Sequence, residues 1–237
     1  MKSTILISAW LLLAAMTNAA TILHHYTFDG VTVVDSVGTS NGTLLNGASN
    51  SSGRLNLDGN DDYVQFGEHI IPTTGSFSVA FFAQELSRAP FVAEIISQGS
   101  SGQPGFYIGY DQSHNIRIGD SLPNTGVPFP SDGLLHHYAV TAGADTRLYI
   151  DGSLRGTFGS ISTASGGTDT RIGNQFAGTG PEFFHGNVDD LRIYNGTLTA
   201  SEVVSLTVPE PCSIALFAFG AVAMSFRRTT RRSETVA

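Results

Sequence analysis

Cysteine is almost missing from this 237-residue chain: the single one is Cys212, near the C-terminus, so no disulfide forms within the chain. Any domain it builds holds together by packing, with a bound ion as the one other staple open to it. Lysine is almost missing as well. Between Ala20 and Thr207 the cations are seven arginines, set against eighteen Asp and Glu, for a net charge of −11. Nucleic-acid binders need a basic stripe to displace counterions, so this balance excludes that class of partner. The only tryptophan is Trp10, in the N-terminal segment. No heptad or amphipathic helical period runs through the middle of the chain, which excludes a helical bundle. Motifs that carry chemistry are absent too. There is no Glu-x-Asp-x-Glu or close variant to line carboxylates along one strand face, no Gly-x-Ser-x-Gly elbow and no phosphate loop. Glu94 and Glu182 stand alone in the sequence, and glycoside hydrolysis needs a carboxylate pair. The expectation is a protein that is not an enzyme.

The two ends read as address labels. Lys2, an apolar segment from Ile5 to Ala15 and small residues at Thr17 and Ala19 have the layout of a secretory signal peptide over residues 1–19; a retained membrane anchor is the alternative. At the other end, the stretch from Ser213 to Phe226 carries no charge yet is shorter than the ~20 residues a helix needs to cross a hydrocarbon core. Pro209, Glu210 and Pro211 precede it, and Arg227, Arg228, Arg231 and Arg232 follow. The positive-inside rule keeps those arginines cytoplasmic and the domain outside. A tail only just able to span suits a step that ends in its removal; a permanent single-pass anchor and a buried terminal helix are the alternatives. The partition is therefore 1–19, 20–207 and 208–237.

What fills the middle is a series of short alternating segments separated by Gly, Asn, Asp and Ser: Ile22–Phe28, Tyr63–Phe66, Phe77–Phe81, Phe106–Tyr110, His136–Thr141, Arg147–Ile150 and Leu191–Tyr194. That pattern predicts an all-β fold, an antiparallel sandwich. Asp151-Gly152 joins two runs and suits a type I′ hairpin turn. One short helix is expected over Thr199–Leu206, with Thr199 capping it and Glu202 reaching back. The spans Gly119–Gly133 and Gly159–Gly167 read as exposed loops.

The blocks LHHYTFDG, VVDSVGTSNGTL, GRLNLDGNDDYVQFG, GSFSVAFF, LLHHYAVTAGADTRLYIDGSLRGT, TRIG and FFHGNVDDLRIYNGTLTASEVVSL, in that order, resemble the laminin-G-like, concanavalin A-like jelly rolls of bacterial surface proteins. The resemblance spans Leu23 to Leu206, and it departs from the family where a tryptophan is usual, at Phe82 and Leu135. The tail resembles a PEP-CTERM sorting signal. That likeness implies a bacterium, an exosortase-type membrane protease as processing partner, contact with the membrane through the tail, and delivery to the envelope or to exported polysaccharide.

Simple alternation along the last strand puts Asp189 in phase with Leu191 and Ile193, on the apolar side, where a carboxylate needs a partner. The topology implied by the resemblance sets the first and last strands side by side, so Asp29 and Asp189 would share a structural calcium with backbone carbonyls, an ion that takes six to eight oxygens. Asp58, Asp61 and Asp62 read more simply as an Asx-rich turn. His24-His25 and His136-His137 point to opposite strand faces and do not grip one ion together. For a sugar platform the aromatic candidates are Tyr107, Tyr110, Phe129 and Phe176, the two tyrosines on opposite faces of one strand. The function expected is an exported, non-enzymatic adhesion or matrix module that meets polysaccharide or a surface protein. A carbohydrate-binding lectin is the second reading, a polysaccharide hydrolase the third.

Overall fold

Strand β6 (Phe77–Glu85) shows how the residue order makes the fold. Phe77, Val79, Phe81 and Ala83 enter the central core, while Ser78, Ala80, Phe82 and Gln84 alternate onto the other face. The structure, a computed structural model, describes residues 19–100, 105–161, 169–176 and 182–208. The leader, the tail with its Pro209-Glu210-Pro211 motif and four arginines, and most of the loop expected at 159–167 lie outside the described residues.

β6 sits in an eight-stranded sheet with β12 (Ser153–Phe158), β11 (Thr146–Ile150) and β10 (His136–Ala142) on one side, and β14 (His185–Asn195) on the other. The far edge of β14 is shared. Its first residues pair with β4 (Arg54–Asp58), which continues to β3 (Ser49–Ser51), and its last with β1 (Thr21–Tyr26). The opposing sheet runs β2 (Thr43–Leu45), β5 (Tyr63–Phe66), β13 (Asp169–Ile172), β7 (Ala93–Gly99), β8 (Phe106–Tyr110) and β9 (Ile116–Ile118). All named pairs are antiparallel. The two sheets enclose one core, rich in Tyr26, Phe66, Phe81, Phe106, Tyr138 and Phe184, and form the sandwich that the alternation predicts.

Local expectations are met in detail. Asp151 and Gly152 both take positive φ, 51° and 74°, as a type I′ turn between β11 and β12 requires. The helix α1 (Ala200–Leu206) starts with a full capping box: the Glu202 amide donates to Thr199 Oγ1, and the Thr199 amide donates to the Glu202 carboxylate at 2.7 Å. The helix lies on the outward face of the eight-stranded sheet. Ala80 and Ala139 are small enough to admit it, and Tyr149, Tyr194, Leu198 and Val203 close a second apolar cluster there. The 119–133 span is not wholly an exposed loop: Phe129 plugs the core and stacks on Tyr138 at 5.2 Å between ring centroids. Among the described residues no helix is long and apolar enough to cross a membrane.

Candidate functional site

The pairing of β14 with β6 slips between Asp189 and Arg192, where Asp190 is an extra residue with φ 48°. A bulge of this kind re-aims side chains, and here it resets the alternation. Val188 and Leu191 both enter the core, so Asp189 is thrown onto the outward face with Arg192. This corrects the simple alternation, which placed Asp189 with Leu191 and Ile193; the count of two fails across a bulge.

The bulge lies where β14 exchanges β4 for β1 as its neighbour. At that fork a cleft of ≈ 420 Å³ opens. Its apolar lining is Phe82, the strand partner of Asp189, and Leu135. Its polar wall holds His25, Thr27, Asp29, Arg54, Asp189, Asp190 and Arg192. Asp190 is engaged through one oxygen, with Oδ1 2.7 Å from His25 Nε2 and accepting from Arg192 Nε at 2.8 Å. Asp189 has less support: among the described residues its one hydrogen bond is from the neighbouring Asp190 amide, at 2.7 Å. Burial pushes its carboxyl up to about 6, with the charges of Asp190 and Asp29 adding to the push and Arg54 opposing it. Arg54 donates one long bond, 3.5 Å, to Gln84 Oε1, which leaves most of its fork facing other groups. Beside Phe82, its cross-strand partner, and edge-on to it at 5.0 Å, lies buried His137; burial holds its imidazole down to about 4, so it is neutral at physiological pH.

Asp29 and Asp189 therefore do meet, in one cleft. They share it with two guanidinium groups, and the third carboxylate, Asp190, is already held by His25 and Arg192. A divalent ion there would have to draw its six to eight oxygens from these carboxylates and backbone carbonyls, beside two guanidinium groups. Asp58, Asp61 and Asp62 come within one ion's reach of one another. They form the Asx turn instead: Asp58 accepts from the Asn60 amide at 2.8 Å, and Asp62 from the Asp58 amide at 3.0 Å. The histidine pairs take separate partners. His24 Nδ1 lies 2.6 Å from Asp35, and His136 bridges Asp132 and Asp151.

The four aromatic candidates are not a platform. None of Tyr107, Tyr110, Phe129 and Phe176 is more than 3% exposed. Tyr110 and Phe129 are core residues, packed on each other at 5.2 Å. Tyr107 faces outward from the six-stranded sheet, as its phase requires, but Arg117 covers its ring at 4.1 Å and its hydroxyl donates to Asp120 Oδ1 at 2.9 Å. Phe176 packs over Gly105. The aromatic that lines the cleft at the fork is Phe82, itself 8% exposed. Its departure from the tryptophan pattern pointed at the position without revealing its role.

A second cluster lies on the outward face of the six-stranded sheet. The connection from β13 to β14 crosses β7, where the Glu94 amide donates to the Glu182 carbonyl at 2.9 Å and the backbone bridges Glu94 to Phe183. Glu94 and Glu182, isolated in sequence, are thus brought together. Arg117 Nη1 lies 3.2 Å from Glu94 Oε1 and 3.4 Å from Glu182 Oε2. Glu94 is fully buried, and neither of its carboxyl oxygens has a hydrogen-bond partner among the described residues. Burial holds it well above the ordinary carboxylate range, with Glu182 and Asp120 adding to the shift and Arg117 opposing it. Its side chain has no exposed surface.

The sequence profile of the Concanavalin A-like lectin/glucanases superfamily (Laminin_G_3) matches residues 58–204. No curated protein matches the chain. Among solved structures, Domain 4 of AbnA, a GH43 extracellular arabinanase from Geobacillus stearothermophilus, in complex with arabinotriose, superposes with a TM-score of 0.67 at 20% identity, covering 81% of this chain and 100% of that one. A mutant of Trypanosoma rangeli sialidase displaying trans-sialidase activity superposes with a TM-score of 0.62 at 14% identity, over 80% of this chain. The match spans only 32% of the sialidase. At these identities the likenesses establish the fold.

Proposed function

The chain belongs to the Concanavalin A-like lectin/glucanases superfamily, and from that premise we propose that it is a non-catalytic glycan-binding module, exported and held at the cell envelope or in its matrix as an adhesion component. The observation that carries this reading is the cleft at the fork of β14: an apolar floor of Phe82 and Leu135 beside a wall of carboxylates and guanidiniums. Sugars bind by laying their C–H face on an apolar surface while hydroxyls meet charged and polar groups at the rim.

Geometry also supports binding without turnover. Of the cleft carboxylates, Asp190 is locked between His25 and Arg192. In the Glu94–Glu182 pair, which does bring two carboxyls together, Glu94 is fully buried. The arabinotriose in the complex of the arabinanase domain supports trying short neutral sugars first. Titrating the full chain with arabinotriose and laminarin oligosaccharides should give saturable binding without product release. Phe82→Ala should weaken it by about tenfold or more, equivalent to ~1.4 kcal/mol. A blank glycan array would remove the reading; cleavage of any bound oligosaccharide would return the protein to the hydrolases.

Export by the 1–19 leader and processing by an exosortase-type enzyme at Pro209-Glu210-Pro211 belong to the same proposal. They rest on the sequence signals at the two ends. Replacing the three motif residues should leave a longer, membrane-held product; identical mass and location would refute processing.

A further inference from the structure

The cleft's charge pattern narrows its ligand. We propose that it takes an uncharged sugar whose neighbouring hydroxyls bridge Asp189 and Arg54, and that Asp189 is the residue that turns acidic glycans away. The inference rests on the glycan-binding reading and names the substrate class of the same site.

Three carboxylates, Asp29, Asp189 and Asp190, face the cleft with two arginines, Arg54 and Arg192. Asp190 and Arg192 are spent on each other, Arg192 Nε donating to Asp190 at 2.8 Å. What remains to meet a ligand is Asp29 and Asp189 on the negative side and Arg54 on the positive. Neither Asp29 nor Arg54 has a short side-chain partner among the described residues. Among the same residues Asp189 has only the amide of its neighbour. A vicinal diol suits these groups: one hydroxyl donates to the carboxylate, the other accepts from the guanidinium, and the apolar edge of the ring rests on Phe82. A uronate or sialate brings a third negative charge beside two carboxylates and one free cation, within a domain of net charge −11. Like charges at such distances oppose binding, and a partly dry cleft screens them little.

Every charged or titratable group around Asp189 has to be counted before pH is used as a probe. They are His25 from β1, Asp29 from the segment after it, Arg54 from β4, Asp190 and Arg192 from β14, and neutral His137 from β10 beside Phe82. Burial raises the Asp189 carboxyl, so acid removes its charge before it reaches a galacturonate carboxyl.

The test compares four probes on the full chain at pH 8: arabinotriose and laminaritriose as neutral sugars, trigalacturonate and sialyllactose as acidic ones. Binding of neutral probes with at least about tenfold discrimination against acidic ones, the equivalent of ~1.4 kcal/mol, is the expected result. Asp189→Asn should admit trigalacturonate, and Arg54→Met should weaken the neutral probes. Lowering the pH of the unmutated protein to 5 should relax the discrimination in the same direction, a measurement that needs no variant to fold. Equal or preferential binding of acidic probes at pH 8 would overturn the inference while leaving glycan binding intact. Discrimination unchanged in both Asp189→Asn and the acid titration would overturn the role of Asp189. If none of the four probes and nothing on a wider array bound, the glycan reading itself would fall, and the inference with it.

Discussion

Both sheets turn a carboxylate–arginine cluster away from the shared core, and they treat it in opposite ways. On the eight-stranded sheet, Asp189, Asp190, Arg192 and Arg54 line an open cleft. On the six-stranded sheet, Glu94, Glu182 and Arg117 meet where residues 182–184 cross β7, and Glu94 is fully buried. The connection from β13 to β14 is pinned where Ser97 Oγ donates to the Asn174 carbonyl at 2.8 Å and the Phe184 amide donates to the Gly173 carbonyl at 3.0 Å. The local chemistry is the same, but the chain's route over it differs. A cluster beside water retains charge with which to meet a ligand. A buried one settles its charge internally, with burial raising the Glu94 carboxyl and Arg117 facing both glutamates, and serves to fix the strands it joins.

The largest effect should come from breaking the buried cluster. Arg117→Ala leaves two carboxyls without their cation and strips the cover from Tyr107. Loss of one partner of a buried pair costs about 3–5 kcal/mol, so Arg117→Ala should lower the denaturation midpoint far more than Arg54→Ala does in the open cleft. Equal losses would erase the contrast between the two faces. Glu94→Gln sharpens it through pH. The raised Glu94 value contributes stability in full below its unfolded value of about 4.3, and that contribution disappears as pH rises through the folded value. Unmutated protein should therefore lose stability on going from acid to alkali more steeply than Glu94→Gln. Parallel melting profiles for the two would mean that Glu94 ionises freely.

The strands most legible in the sequence were those whose apolar and polar or small residues alternate, even where both faces end up covered. Phe77–Phe81, His136–Thr141 and Arg147–Ile150 alternate, and each is a strand. β7, Ala93–Gly99, is buried along its whole length, because the core lies on one side and the crossing connection on the other. Its glutamate and glutamine carry no alternating signal, since Gln98 spends its amide on the Ile71 backbone and Glu94 faces Arg117. The glycine at 109 is part of the same arrangement, for a Cβ there would collide with the Ala93 carbonyl and with Glu94. The pairing of Asp29 with Asp189 was within reach through the implied neighbourhood of the first and last strands. The outward turn of Asp189 was not, because a single inserted residue at Asp190 decides it and nothing in NVDDLRIY marks which residue is extra. Tyr107 and Tyr110 were correctly assigned to opposite faces, yet alternation does not tell a covered outward face from a bare one.

Calcium gives the smallest expected effect and the finest probe of the open cleft. Were an ion held by Asp29 and Asp189 at a hundred times its Kd, it would stabilise the fold by ~2.7 kcal/mol, a shift of about 5–10 °C in Tm for a domain of this size. With Arg54 and Arg192 in the same cleft and Asp190 already engaged, chelation should move Tm by less than about 1 °C, a few tenths of a kcal/mol. Asp29→Asn and Asp189→Asn should respond to chelator no differently from the unmutated protein. A fall of several degrees that either substitution abolishes would place a cation between those carboxylates. Arg54 would then be a bystander to their charge, and the cleft would resemble the buried cluster in settling its electrostatics without a ligand's help.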